Sequence, residues 1–331
     1  MELRTTFKIE PSALKISYTD RVMLVGSCFA SSIGMQMAAG RMPVLINPAG
    51  TVYNPFSVCN TIDHIISGKE FREVDLYNYN GTWLSFYHYT DFISENPREL
   101  ADRINTKTLE AHDFISSARF LFITFGTARV HVWKKTGDIV SNCHKIPSAN
   151  FESRLLSVEE TVGLWRDLLD RLHSLFPGLQ VVFTISPVRH WKDGAHGNQL
   201  SKAVLLLAVE ELLKHPAMCQ YFPAYEIVMD DLRDYRFYNT DMLHLSPAAI
   251  DYIWEAFAGC FFEKRTQDIW REVVKITRAV NHKIGTDSPS RIRDFASRMI
   301  DKIDTITKKE PSVYLKEEKE YFCGLFNKDS K

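Results

Sequence analysis

Two short stretches of this chain could do chemistry together. Gly26-Ser27-Cys28-Phe29-Ala30 sets a hydroxyl beside a thiol at the end of an apolar run, and Asp241-Met242-Leu243-His244 sets a carboxylate three residues before an imidazole. A nucleophile needs a base within hydrogen-bond reach, a group that fixes the base's tautomer, and donors for the oxyanion that develops. Ser27 and Cys28 are the candidate nucleophiles, His244 the candidate base and Asp241 the orienting acid. A thiol near a helix N-terminus and beside a histidine favours the thiolate. The competing reading is a structural Cys28, since free cysteine is among the most buried residue types.

Positioning these groups takes strands that end in polar turns. Arg21 to Val25 reads as a buried parallel strand and Ala30 to Gly40 as a helix packed close behind it. Pro43 to Ile46 reads as a second strand, followed by a loop through Asn47, Pro48, Gly50, Asn54 and Pro55 and a helix from Pro55 to Ile66. Glu70 to Glu95, rich in aromatic residues, reads as a β insertion whose rings could line a cleft but are more often packing. Asn96 caps a helix to Ser117, Arg119 to Phe125 is the strongest strand signal, and Thr136-Gly137 turns a hairpin between residues 130–133 and 138–142. Ser157 and Glu160 form a capping box for a helix to Phe176. Val181 to Ile185 is a further strand, Asn198 opens a helix to His215, Tyr225 to Met229 reads as the last strand, and Pro247 begins another helix.

Strands alternating with helices in this way predict a parallel sheet with helices on both faces, and ligands then bind beyond the carboxyl ends of the strands. The segments Gly26–Cys28, Asn47–Gly50, Gly126–Thr127, Ser186–His190 and Asp241–His244 all follow predicted strands, so five polar loops converge on one edge.

Composition bounds the rest. The 331 residues are 45% hydrophobic and 24% charged, which suits a globular α/β chain with a large core. Forty basic against forty-one acidic residues give a net charge of -1, so general attraction to nucleic acid or an anionic membrane is not expected. No run of about 18 apolar residues predicts a membrane span. The N-terminal segment lacks an apolar signal-peptide core, and six scattered cysteines without a CxxC pair fit a reducing, cytoplasmic setting with no zinc site. No metal or cofactor is expected. Helical patterns dominate from Gln267 on, and the last twenty residues are the segment most prone to disorder.

The string Gly26-Ser27-Cys28-Phe29-Ala30 resembles the signature of the GSCFA family. Further blocks of that family are resembled by Asn47-Pro48 to Asn54-Pro55, Thr124 to Thr127, Asn142 to Lys145, Ser186 to His190, Asn198 to Lys202 and Tyr235 to Tyr238. The resemblance spans roughly residues 1–262, which implies a catalytic domain over 1–262 and leaves a C-terminal helical extension with a charged tail over 263–331. The family is similar to SGNH/GDSL hydrolases, which implies a flavodoxin-like three-layer α/β/α sandwich and acyl-ester chemistry. Setting Gly26 on the glycine of the Gly-Asp-Ser pattern puts Cys28 on the serine nucleophile, while Asp241 and His244 fall on the Asp-x-x-His pair. Gly50 falls on the glycine that lends a backbone donor to the oxyanion hole. The asparagine that these enzymes carry after the third-block glycine is absent, because Gly126 is followed by Thr127, Ala128 and Arg129. Thr127, Asn142, His144, Arg189 or Asn198 would have to supply that donor.

Arg189 and His190 are candidates for binding an anionic substrate group. Arg233, Asp234, Tyr235 and Arg236 read as a structural ion-pair network. The expected activity is hydrolysis or transfer of an acyl group on a small-molecule or carbohydrate ester, through Cys28 or Ser27; a retired fold that binds a ligand or protein is the alternative. The oligomeric state is not encoded in any pattern.

Overall fold

The computed structural model describes residues 5–215, 219–281 and 288–327. Strand β1 is Arg21–Gly26, followed by helix α1, Cys28–Ala39, and strand β2, Val44–Ile46. Five of the six β1 residues are buried, which is why its apolar run is continuous. Helix α2, Pro55–Ser67, starts where Asn54 accepts a hydrogen bond from the Ser57 N–H at 2.8 Å, and Pro55 occupies its first turn. It stops at Gly68, whose left-handed backbone closes the last carbonyls.

The aromatic insertion forms a small antiparallel sheet of β3 (Tyr77–Tyr79), β4 (Thr82–Leu84) and β5 (Ile93–Ser94). Its rings pack: Phe86 lies 5.2 Å from both Tyr77 and Trp133, centroid to centroid. Helix α3 is Pro97–Ile115 and strand β6 Ala118–Phe125. Then come β7 (Arg129–Trp133), β8 (Ile139–Val140) and β9 (Phe151–Leu155), a second antiparallel sheet in which β9, absent from the sequence reading, pairs with β7. Helix α4, Val158–Leu175, carries the predicted capping box, with Glu160 N–H to Ser157 Oγ at 3.0 Å and Ser157 N–H to Glu160 at 2.8 Å. Strand β10 is Gln180–Ile185 and helix α5 Gly194–Leu212.

The last strand of the main sheet, β11, is Cys219–Tyr221 rather than residues 225–229. Pro223 cannot donate to a ladder, and the chain instead turns into helix α6, Ala224–Glu226, continued by a π-helical turn over Ile227–Asp231 that the Leu232 N–H closes on the Ile227 carbonyl at 2.9 Å. The apolar run at 227–229 is too short for its period to separate strand from helix. Helix α7 is Pro247–Phe261.

The five-stranded sheet runs β11-β10-β6-β1-β2. Counted along the chain this is the flavodoxin-like order 2-1-3-4-5, in a three-layer α/β/α sandwich. Alternate residues of β1, β6 and β10, such as Val25, Ile123 and Phe183, face a core built with α2, α3, α4 and α5. Val22, Phe120 and Val182, on the opposite face, are equally buried. The order reverses between β1 and β6, so the crevice of such a sheet opens beyond Gly26 and Phe125.

The chain divides into two compact units. One holds Arg21–Gly34 and Leu45–Trp254, and the other Glu10–Asp20, Met35–Val44 and Glu255–Lys331. The second is helical, with α8 (Lys264–Val280), α9 (Pro289–Lys309) and α10 (Lys316–Asn327). Within it Trp270 Nε1 donates to the Gln36 carbonyl at 2.8 Å and Arg41 Nε to the buried Glu318 carboxylate at 2.6 Å. The expectation of a disordered end is therefore corrected for residues 316–327: α10 packs Phe322, with no exposed surface, against Phe295. Residues 328–331 of that segment lie outside the described residues.

Candidate active site

Ser27 sits between the end of β1 and the start of α1. Its N–H donates to the Thr124 carbonyl at 3.1 Å and its Oγ accepts the Phe29 N–H at 3.3 Å, so Ser27 is the N-cap of α1 and is only 1% exposed. Gly26 before it must be glycine: with φ at 144°, a Cβ there would lie 2.2 Å from the Thr124 oxygen. Cys28 begins the helix, half-buried. Burial pushes its thiol pKa up, while N–H groups of Cys28 and Phe29 and the positive charge of Lys202 pull the other way.

The loop after β2 fixes this turn. Asn47, in the left-handed region with φ at 44°, accepts the Gly26 N–H on Oδ1 and donates through Nδ2 to Ser31, both at 2.8 Å. Gly50 closes the same loop, its N–H donated to the Asn47 carbonyl at 2.7 Å. The Tyr53 carbonyl takes the N–H groups of both Gly126 and Thr127, at 2.7 and 3.1 Å. Three backbone donors that an oxyanion could use are thus already occupied.

A polar stripe on α5 completes the strand-end cluster. Asn198, Ser201 and Lys202 are each 1% exposed and fall on one face by helical spacing. Asn198 Oδ1 accepts the His190 N–H at 3.0 Å, and its Nδ2 has no partner among the described residues. Ser201 Oγ accepts the Ala128 N–H at 2.7 Å and meets Thr127 Oγ1 at 3.0 Å. Lys202 Nζ donates to the carbonyls of Gly126 and Ser186, both at 2.6 Å, and lies 5.7 Å from the Tyr225 ring. Burial depresses the Lys202 pKa to about 7, with Arg189 adding to the shift and Cys28 opposing it.

His190 packs edge-on to Tyr53 at 5.5 Å, and its Nε2 would lie 3.1 Å from a Cβ placed on Gly126. Burial first, then Lys202, His244 and Lys192, lower its pKa to about 4. The imidazole is therefore neutral at pH 7.

The Asp241–His244 turn is built separately. Asp241 Oδ1 accepts the N–H groups of Leu243 and His244 at 2.9 Å, and Oδ2 meets His244 Nδ1 at 2.6 Å. Those bonds, led by the one to His244, lower the Asp241 pKa to about 2. His244 Nε2 is left without a hydrogen bond among the described residues, and none joins His244 to Cys28. His190 rests against Gly126, and His244 is among the charges that lower its pKa.

The other candidates fall elsewhere. Asn142 donates to Thr90, and His144 Nε2 bonds the Ser85 carbonyl at 2.8 Å, so both belong to the aromatic insertion's polar seam. Arg189 points its guanidinium at Met229 Sδ, 3.3 Å away. Arg233 and Arg236 pair with Asp230 and Asp234 at 3.4 and 2.8 Å. Lys202 and Asn47 were not among the predicted site residues. The signal for Lys202 was its place on an apolar helical face with Leu205, Val209 and Leu212, where a solvated lysine does not belong.

Comparison with known proteins gives a family match and a likeness to solved structures. A family model described as "GSCFA family" matches residues 21–257, more than half of the chain. A solved structure provisionally assigned as a platelet activating factor from Streptococcus pneumonia is similar at 12% identity and a TM-score of 0.36, over 75% of this chain and 84% of that one. No curated protein matches. Among the described residues, no helix is long and apolar enough to cross a membrane, and no cluster of His, Cys, Asp and Glu could hold a metal ion.

Proposed function

The chain belongs to the GSCFA family, and from that premise we propose that it is an SGNH-like acyl-ester hydrolase or O-acyltransferase working through Cys28, His244 and Asp241. The observation that carries the proposal is the preassembled Asp241–His244 pair, 2.6 Å apart, whose Nε2 has no hydrogen bond among the described residues, while a half-buried thiol, Cys28, stands at the end of β1. Cys28 is preferred to Ser27 because the Ser27 hydroxyl is sealed and already caps α1.

In this mechanism His244 Nε2 takes the Cys28 proton and the thiolate attacks the acyl carbon. Asp241 holds the proton on Nδ1 and stabilises the imidazolium. The tetrahedral oxyanion receives the Cys28 N–H and the unpartnered Asn198 Nδ2. Of the five side chains that could replace the missing third-block asparagine, Asn198 alone combines full burial with a free amide donor. Lys202, held between two carbonyls, supplies positive charge that favours both the thiolate and the oxyanion. The imidazolium proton passes to the leaving alkoxide, giving a thioester. Water or an acceptor hydroxyl then attacks that thioester, His244 accepting its proton and returning it to the sulfur.

Turnover of acyl p-nitrophenyl esters and acyl-CoA, with mass spectrometry of the trapped acyl adduct, tests this reading. C28A should abolish turnover and remove an adduct that maps to Cys28. Full activity in C28A, or an adduct on Ser27, overturns it. The alternative, a fold that binds a ligand or protein without turnover, draws support from the burial that raises the Cys28 pKa. No turnover, together with iodoacetamide reacting at Cys28 only at alkaline pH, would establish that alternative.

A further inference from the structure

Beside the Asp241–His244 turn lies a cleft of about 600 Å³ within the larger unit, lined among others by Arg189, Trp191, Leu232, Tyr235, Asp241 and Met242. Its size is that of a small-molecule pocket. Two kinds of surface meet there. Val228 and Leu232, 1% and 2% exposed, are sealed apolar residues, whereas Trp191, Tyr235 and Met242 are large apolar side chains left 54%, 79% and 52% exposed around the opening. Three such groups around one concavity are unusual for a surface that meets only water. Met242 is held there by its turn: φ is 59°, a strained value for methionine, and its N–H donates to the Asn239 carbonyl at 2.9 Å.

Among the described residues, the charged side chains of the cleft have polar or charged side-chain partners of their own except at one place. Asp241 is engaged by His244, Asp234 by Arg236, and Arg233 by Asp230. Arg189 has no carboxylate partner among the described residues: its guanidinium donates to the thioether of Met229, a weak acceptor. A planar cation with its strong donors unused, beside exposed aromatic rings, suits a ligand that brings both an anionic group and a flat or aliphatic apolar surface.

We propose that this cleft is the substrate subsite, and that it takes an ester carrying a carboxylate or phosphate bound by Arg189 and an apolar portion laid against Trp191, Tyr235 and Met242. The proposal rests on reading Asp241–His244 as the acid–base pair, since the cleft shares that turn. It narrows the substrate from acyl esters in general to anionic ones. The turn that orients His244 thus also shapes the wall that receives the substrate.

Binding can be measured without any chemistry, which separates this inference from the proposed activity. The full-length C28A protein is titrated calorimetrically with 1-naphthyl phosphate, 1-naphthoate and neutral 1-naphthol. The anionic probes should bind roughly ten- to a hundredfold more tightly than the neutral one, the range expected for a charge-assisted contact. R189M should erase that preference, R189K should keep part of it, and W191A should weaken all three probes together. The ratio between phosphate and carboxylate identifies which anion the site prefers. Equal binding of charged and neutral probes, an anionic preference that survives R189M, or no binding of any probe in the millimolar range overturns the proposal. Should turnover tests fail while the Arg189-dependent preference persists, the acyl chemistry is wrong and the anion subsite stands.

Discussion

Asn198, Ser201 and Lys202 are each 1% exposed and reach into the loops after both β6 and β10, while the side chains of Asp241 and His244 are 46% and 52% exposed and bond within their own turn. The contrast separates two ways of holding a functional group. In the strand-end cluster each of these three side chains also satisfies a buried backbone group, so the site and the fold share the same bonds. In the open turn the bonds set the direction of an imidazole and little else, because exposed ion pairs contribute little to stability. Function and stability should therefore part company in the turn and move together in the cluster.

The most severe test is H244A, for which kcat should fall by about 10⁶, as for loss of the histidine base of a triad, with an unchanged urea midpoint. A large drop in the midpoint would mean the turn is structural after all. Next, N198A should lower kcat by about 10²- to 10³-fold through the lost oxyanion donor, and by leaving the His190 N–H without its acceptor should cost about 1 kcal/mol in urea unfolding. An effect on stability alone would remove Asn198 from the chemistry.

K202M should reverse the balance. It strips the donors from the Gly126 and Ser186 carbonyls, destabilising the fold by about 2–3 kcal/mol, and moves the midpoint of Cys28 alkylation by iodoacetamide to higher pH. A midpoint that stays put would confine Lys202 to a structural part.

The smallest effect comes from pH. His190 has its pKa lowered to about 4 in the fold, so between there and the ordinary value of about 6.5 the unfolded chain binds more protons than the native one. Stability then falls as pH drops through that window, by about 2 kcal/mol at pH 5 from this group. His88, buried and lowered to about 3 chiefly by desolvation, adds a loss of the same sign. H190Q should flatten part of the slope seen in urea midpoints between pH 7.5 and 5, and a slope unchanged in H190Q would take His190 out of this account.

Elements whose signal is local were legible in the sequence. Asn96 and Ser157 mark helix starts because one side chain satisfies nearby N–H groups, and Pro55 marks another because its fixed φ suits a first turn. The strands β1, β6 and β10 stand out because a central parallel strand is apolar throughout. The stretch Tyr225–Met229 misled because its apolar residues fit a π-turn as well as a strand, and three-residue β11 carries too little pattern to compete. The pairing of Asp241 with His244 follows from their spacing. Which side chain keeps a free donor does not, because that depends on what Thr127, Asn142 and Asn198 each bond to across the fold. Lys202 escaped notice since lysine in a helix usually means solvent, and only the face it shares with Leu205 and Val209 says otherwise.

The Asn47 side chain also has a dynamic consequence. It is the acceptor for the Gly26 amide, so that amide can exchange with solvent only when Asn47 lets go, and Asn47 also grips Ser31 on α1. The turn that presents Cys28, the first turn of α1 and the loop after β2 should then open as one cooperative unit, with Gly26 protected from deuterium as long as that loop stays closed. The freedom of Cys28 to move is governed from a neighbouring strand's loop and not from its own.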